Sequence, residues 1–106
     1  MSTDSHIKSA ATALASLGHE SRLAVFRLLV RSGPEGLTVS DLLDHLDLPP
    51  STLAHHLRTL VSAGLVVQER QGREIYNRPD FAVMTATLAF LTSECCAGVG
   101  LTPAAA

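Results

Sequence analysis

The stretch Pro49-Pro50-Ser51-Thr52-Leu53-Ala54-His55-His56-Leu57-Arg58-Thr59-Leu60-Val61-Ser62-Ala63-Gly64-Leu65 decides how this chain is read. Pro50 suits the first helical position, where a missing N–H costs nothing, and Gly64 suits the left-handed residue that commonly ends a helix. At about 100° per residue, Leu53, Leu57, Leu60 and Val61 share one face. Ser51, Thr52, His55 and Thr59 share the other, flanked by His56 and Arg58. The apolar face is built to pack. The outward face is short, hydroxylated and almost free of acidic charge, which suits close approach to phosphates and base edges in a major groove. An ordinary amphipathic helix with a polar solvent face has the same pattern, so the flanking segments must decide.

Upstream, Thr38-Val39-Ser40-Asp41 has the form of a capping box and opens a short helix through Leu42, Leu43 and Leu46. Asp47-Leu48-Pro49 then makes a tight turn, and two short helices so joined form a helix-turn-helix. Downstream the period changes. Leu65 to Arg70 and Arg73 to Arg78 are β-prone runs around Gln71-Gly72, which predicts a hairpin. A hairpin directly after a helix-turn-helix is a wing, and Arg70, Gln71 and Arg73 near its tip stand within reach of backbone phosphates or a minor groove; simple solvation of these arginines is the plainer alternative.

Farther out, Ile7, Ala10, Ala11, Leu14 and Leu17 predict a first helix over about His6 to Leu17, stopped by Gly18. Glu20 opens a second helix, expected to be largely buried and closed by Ser32-Gly33-Pro34. Gly36-Leu37 reads as a short extended piece. Pro79-Asp80 starts a last helix whose Phe81, Val83, Met84, Leu88, Ala89, Phe90 and Leu91 cover most of its circumference. A chain this small has little to cover it, so the first and last helices are expected to meet their counterparts in a two-fold dimer. The expected class is mainly α with a small β-hairpin wing. Residues 1–96 form one DNA-binding and dimerisation domain and 97–106 a loose tail, with no internal repeat.

Composition narrows the partners. Eight Lys and Arg against ten Asp and Glu leave a formal charge of −2, so this is no generally basic nucleic-acid coat. The charge is segregated, however. Arg58, Arg70, Arg73 and Arg78 outnumber Glu69 and Glu74 across recognition helix and wing, while Glu35, Asp41, Asp44 and Asp47 form an acidic stretch. The polar Ser2 to His6 lacks an apolar signal segment, and no run reaches the ~18 apolar residues of a membrane span, so a cytoplasmic location is expected. In that reducing compartment Cys95 and Cys96 are expected to be free thiols. No Ser/His/Asp constellation, phosphate-cradling glycine loop or paired carboxylates suggest an enzyme, and no constitutive cofactor is expected.

The runs Leu17 to Leu23, Leu37 to Leu42, Pro50 to Leu57, Ala63-Gly64-Leu65-Val66 and Gly72 to Tyr76 together resemble the ArsR family of bacterial winged helix-turn-helix regulators. The resemblance implies a homodimeric repressor on an inverted-repeat operator, released by an inducer. It places DNA reading on Ser51, Thr52, His55 and His56, and backbone contacts on Arg58, Arg70 and Arg73. His55 stands where the family usually carries a more basic residue. Founding members bear a cysteine motif at the stretch corresponding to Leu37 to Asp41, which has no thiol here, and the zinc-sensing branch uses histidines on the last helix, where Asp80 to Glu94 has none. What remains resembles members whose arsenic site is a vicinal cysteine pair at the end of the last helix, often with a third cysteine in the tail, which is absent here.

Trivalent arsenic is soft and takes up to three thiolates, so Cys95 and Cys96 leave its third position to hydroxide, a small thiol, a partner's cysteine, or the carbon of methylarsenite. Adjacent helical residues point about 100° apart, so one atom is gripped by both sulfurs only if the helix frays, as Gly98 and Gly100 would permit. The expected inducer is therefore arsenite or methylarsenite. Four alternatives stay open: a thiol redox or persulfide switch at the same pair, a zinc or cadmium site recruiting His6 from a partner chain, two small cysteines buried by packing with no further role, and a winged helix that binds protein instead of DNA.

Overall fold

The computed structural model describes residues 3–100, in the order α1 (Thr3–Leu17), α2 (Glu20–Ser32), α3 (Val39–His45), α4 (Pro50–Ser62), β1 (Val66–Gln71), β2 (Glu74–Pro79) and α5 (Phe81–Thr92). The expected helix-turn-helix is α3 and α4. The Thr38 hydroxyl accepts from the Asp41 amide at 3.1 Å, and the Asp41 carboxylate accepts from the Thr38 amide at 3.0 Å. That reciprocal pair satisfies two amides a helix start would otherwise strand. Pro50 holds the first position of α4, and Gly64 lies just past its end with φ of +82°.

The core forms where α4 lies against α2. Leu53, Leu57 and Leu60 meet Val25, Phe26 and Leu29, with Ala13, Leu42, Leu65 and Val66 closing the sides. Each large side chain buried here contributes roughly 1.5–3 kcal/mol relative to exposure. The second helix is less covered than its composition predicts. Only Val25, Phe26 and Leu29 are buried, and Leu23 is exposed, because the neighbours of α2 cover one of its faces.

β1 and β2 pair antiparallel from Val66↔Pro79 to Gln71↔Glu74. The two-residue turn is therefore Gly72-Arg73, one residue later than the expected Gln71-Gly72. Gly72 takes φ of +66° at the first turn position, the conformation for which glycine is suited there. Arg73 consequently occupies the tip itself. At the other end, Leu37 makes an isolated antiparallel bridge to Asn77, its amide donating at 3.0 Å and its carbonyl accepting at 2.8 Å. The fully buried Asn77 adds its own carboxamide, donating to the Leu37 carbonyl at 3.1 Å and accepting from Gln68 Nε2 at 2.8 Å. The expected extended piece at Gly36-Leu37 thus ties the wing's base to the segment before α3.

α1 begins at Thr3, earlier than its apolar stripe indicates, and α5 packs against it. Asp80 caps α5, accepting from the Val83 amide at 3.2 Å. No residue of α5 is buried in the single chain. The expected tail is described only as far as Gly100; its remainder lies outside the described residues.

Gly36 and Gly64 separate two costs of replacing glycine. Both have positive φ, but a Cβ on Gly36 would lie 2.5 Å from the Asn77 carbonyl oxygen, whereas one on Gly64 meets nothing within 4 Å. Gly64→Ala is expected to cost about 1 kcal/mol from backbone strain, and Gly36→Ala at least 1 kcal/mol more from the collision. Urea unfolding midpoints of the two variants check the difference.

Candidate nucleic-acid interface

The exposed side of α4 carries Ser51, His55 and Arg58, with Thr52 and Thr59 partly exposed. These positions face outward because the leucine stripe occupies the opposite side. Pro49 gives α4 no side-chain cap, and the first turn-closing bond is from the Leu53 amide to the Pro49 carbonyl at 3.0 Å. The Ser51 and Thr52 amides precede that bond and have no helical acceptor. A helix start with unclaimed N–H groups and no acid in its first turn is suited to an anion such as a phosphate. Thr59 spends its hydroxyl locally, donating to the His55 carbonyl at 3.1 Å.

On the wing, Arg70 and Arg73 are exposed, and among the described residues neither they nor Arg58 makes an ion pair or side-chain hydrogen bond. Arg78 differs: its Nη2 meets Glu69 Oε2 at 2.8 Å. Glu69 also accepts from Gln71 Nε2 at 2.9 Å. Glu69 is thereby engaged with Arg78 and Gln71, while Glu74, the other acid of the wing, and the two tip arginines make no ion pair or side-chain hydrogen bond among the described residues. Ser51, Thr52, His55, Arg58, Arg70 and Arg73 thus share the exposed surfaces of α4 and wing.

His56 departs from its expected place. It is only 3% exposed, on the packed side of α4. Arg22 Nε donates to His56 Nδ1 at 3.4 Å, and Arg22 Nη1 donates to the Ser16 carbonyl at 3.3 Å. His19, the cap residue of α2, places its ring 5.0 Å from that of His56, and the His55 ring lies 5.9 Å from it. Helical periodicity put His56 at the margin of the polar face; the approach of α2 turns that margin into interior. Arg22, 34 residues away in sequence, carried no local signal for this contact. Burial, followed by the charges of Arg22, His19 and His55, pushes the His56 pKa below the usual 6.5.

Cys95 and Cys96 lie beyond the end of α5, both exposed and free. Glu94 and Cys96 take φ of +61° and +64°, and the two sulfurs stand 3.3 Å apart. No fraying of the helix is required to bring them together, because α5 has already ended at Thr92. No group of three or more potential metal-ligating side chains occurs among the described residues, and no helix among them is long and apolar enough to cross a membrane.

A helix-turn-helix with a two-stranded wing and an open polar recognition face defines the winged-helix class of nucleic-acid-binding proteins. The helix-turn-helix domain family matches residues 17–69. The transcriptional regulator NmtR of Mycobacterium tuberculosis (strain ATCC 25618 / H37Rv) is 42% identical over 65 residues, which are 61% of this chain and 52% of that protein. The chain thus spans about half the length of this relative. Among solved structures, an ArsR-like transcriptional regulator from Rhodococcus sp. RHA1 superimposes with a TM-score of 0.73 at 29% identity, covering 80% of this chain and 77% of the other. A possible transcriptional regulator for arsenical resistance superimposes with a TM-score of 0.66 at 32% identity, covering 76% and 81%. The chain belongs to the ArsR family of winged helix-turn-helix transcriptional regulators, and its relatives are regulators, not enzymes.

The lowered His56 pKa fixes a pH dependence of stability. The unfolded chain binds the proton more readily, so this residue opposes folding increasingly as pH falls below 6.5 and has no such effect well above it. Urea midpoints between about pH 8 and 5 are expected to fall on acidification, and His56→Asn is expected to flatten that fall.

Proposed function

We propose that this chain is a homodimeric, cytoplasmic repressor that binds an inverted-repeat operator through α4 and the wing and is released when a trivalent arsenical binds Cys95 and Cys96. The observation that carries the inducer assignment is the 3.3 Å between the two exposed sulfurs. A single soft atom bound to both at roughly 2.3 Å, the length of a zinc–thiolate bond, spans about that distance when the two bonds stand near a right angle. Two thiolates and one remaining position match methylarsenite, whose carbon fills the third place, and accept arsenite with hydroxide or a small thiol there. The resemblance to a possible regulator for arsenical resistance points the same way.

The dimer is supported by surface that a single chain leaves in water. Leu88 and Leu91 on α5 are 56% and 53% exposed, and Ile7 on α1 is 51% exposed. An apolar helix with no buried side chain calls for a partner, and a second copy supplies the matching pair of helices. Residues 1–96 would then make up the DNA-binding and dimerisation domain. Two recognition helices held about one helical turn of DNA apart would read the two half-sites. Arsenical binding just beyond α5 changes the end of that interface helix. A ligand that favours the altered arrangement draws the dimer away from the operator-competent spacing.

The reduced protein is expected to shift a DNA fragment from immediately upstream of its own coding region and to be released by methylarsenite at lower concentration than arsenite. Thr52→Ala and His55→Ala should weaken binding, whereas Cys95→Ser should bind normally and ignore both arsenicals. Release only by an oxidant or persulfide donor would replace the arsenical with a redox signal. Release of Cys95→Ser by arsenicals would remove the pair from sensing.

The wing contacts are checked by salt titration of the same complex. Arg70→Ala and Arg73→Ala should each lower the slope of log affinity against log salt by about 1 per protomer without changing which fragment is preferred. An unchanged slope would leave these arginines in solvent.

A further inference from the structure

The recognition helix is held in place mostly by leucines, and apolar packing is non-directional. A helix with side chains has a radius of about 5–6 Å, so turning α4 by about 20° around its axis would carry Thr52 and His55 sideways by about 2 Å. That is enough to break a hydrogen bond to a base edge. Something directional has to fix the angle. We propose that Arg22 and His56 are a positioning pair that sets the rotation of the recognition helix against α1 and α2. This rests on the operator-binding role of α4.

The geometry is that of a strut with three attachment points. The Arg22 side chain starts in α2, its Nη1 reaches the Ser16 carbonyl in the last turn of α1, and its Nε reaches His56 Nδ1 on α4. A guanidinium holds its donors in a rigid planar fork, so fixing one end fixes the direction of the other. Ser16 is itself buried and bonded to the Ala13 carbonyl at 2.7 Å, which makes the α1 end firm. His56 lies beside His55, one turn after Thr52 and three residues before Thr59. Holding its ring therefore sets the direction of the whole polar face.

His56 is also an expensive residue for its location. Its Nε2 is buried with no hydrogen-bond partner among the described residues, a cost of roughly 1–3 kcal/mol that an apolar side chain would avoid. Burial, followed by the charges of Arg22, His19 and His55, disfavours the protonated form of the ring. Only the neutral ring offers Nδ1 as an acceptor. Packing alone does not call for such a residue, whereas a directional contact does.

The consequence is a separation of stability from binding. His56→Leu removes the orphaned group and the acceptor together, and is expected to leave the urea midpoint unchanged or raised while weakening binding to the upstream fragment about tenfold. His56→Asn, which restores an acceptor, should recover most of that loss. Arg22→Gln should weaken binding to a similar degree, and the Arg22→Gln/His56→Leu double variant should be no weaker than either single one. In the wild-type protein, the imidazole 15N shifts of His56 should report a neutral ring protonated at Nε2, and Arg22→Gln should move the Nδ1 signal.

Folded single variants that bind within about twofold of wild type would overturn the proposal, as would losses that multiply in the double variant. If His56→Leu fails to fold, Arg22→Gln and His56→Asn decide the matter by the same binding measurement. Failure of the operator-binding role itself is recognised separately, because the wild-type protein would then show no preference for its upstream fragment.

Discussion

The structure depends on covering one stripe, Leu53, Leu57 and Leu60 on α4. Those side chains have to leave water, and α2 offers Val25, Phe26 and Leu29 at matching helical spacing. Once that seam forms, the polar side of α4 has nowhere to go but outward. The seam also positions the neighbours. Leu65 and Val66 enter the same core directly after Gly64, so the first residues of the hairpin are anchored by the packing that buries the recognition helix. A core residue and an exposed contact residue on α4 are in this sense two results of one constraint.

What the sequence discloses is what its local physics controls. A capping box, a proline at the start of α4 and a glycine at its end act within a few residues, and all three appear where the residues predict them. The hairpin was equally legible, but its turn falls one residue later, because pairing Gln71 with Glu74 puts Gly72 first in a two-residue turn. Other features depended on elements far away in the chain. The near-total burial of His56 is caused by the side from which α2 approaches, and Arg22 reaches it across 34 positions. Likewise α2 looks like a buried helix by composition, yet Leu23 remains exposed because its neighbours cover only one face. Periodicity gives the direction of a side chain but not what stands there.

The two ends of the chain present a different kind of surface. α1 lends Ala10, Ala13 and Ser16 to the interior and keeps Ile7 and Leu14 outside, while α5 has no fully buried residue within one chain and sets only Val83 and Met84, half-buried, against the core. The contrast with α4, whose apolar side is satisfied internally, divides the molecule into a finished half and an unfinished one. Cys95 and Cys96 sit at the margin of the unfinished half. There a small chemical change meets few internal contacts that would resist it, and it leaves the core around α4 untouched.

The tie between Leu37 and Asn77 makes the wing a cantilever. Its root is clamped at Asn77, opposite Gln68, by two backbone bonds and a buried carboxamide, and the strand residues beyond that pair carry the tip about 13 Å away. A tilt of about 4° about such a root moves the end by about 1 Å. The tip is therefore compliant although its base is rigid, and Arg70 and Arg73 ride on the compliant part. In the proposed complex with operator DNA, side chains mounted this way would follow the local course of a phosphate backbone instead of demanding a fixed one. Tolerance for variation in groove width would then belong to the wing, and strictness about sequence to the helix.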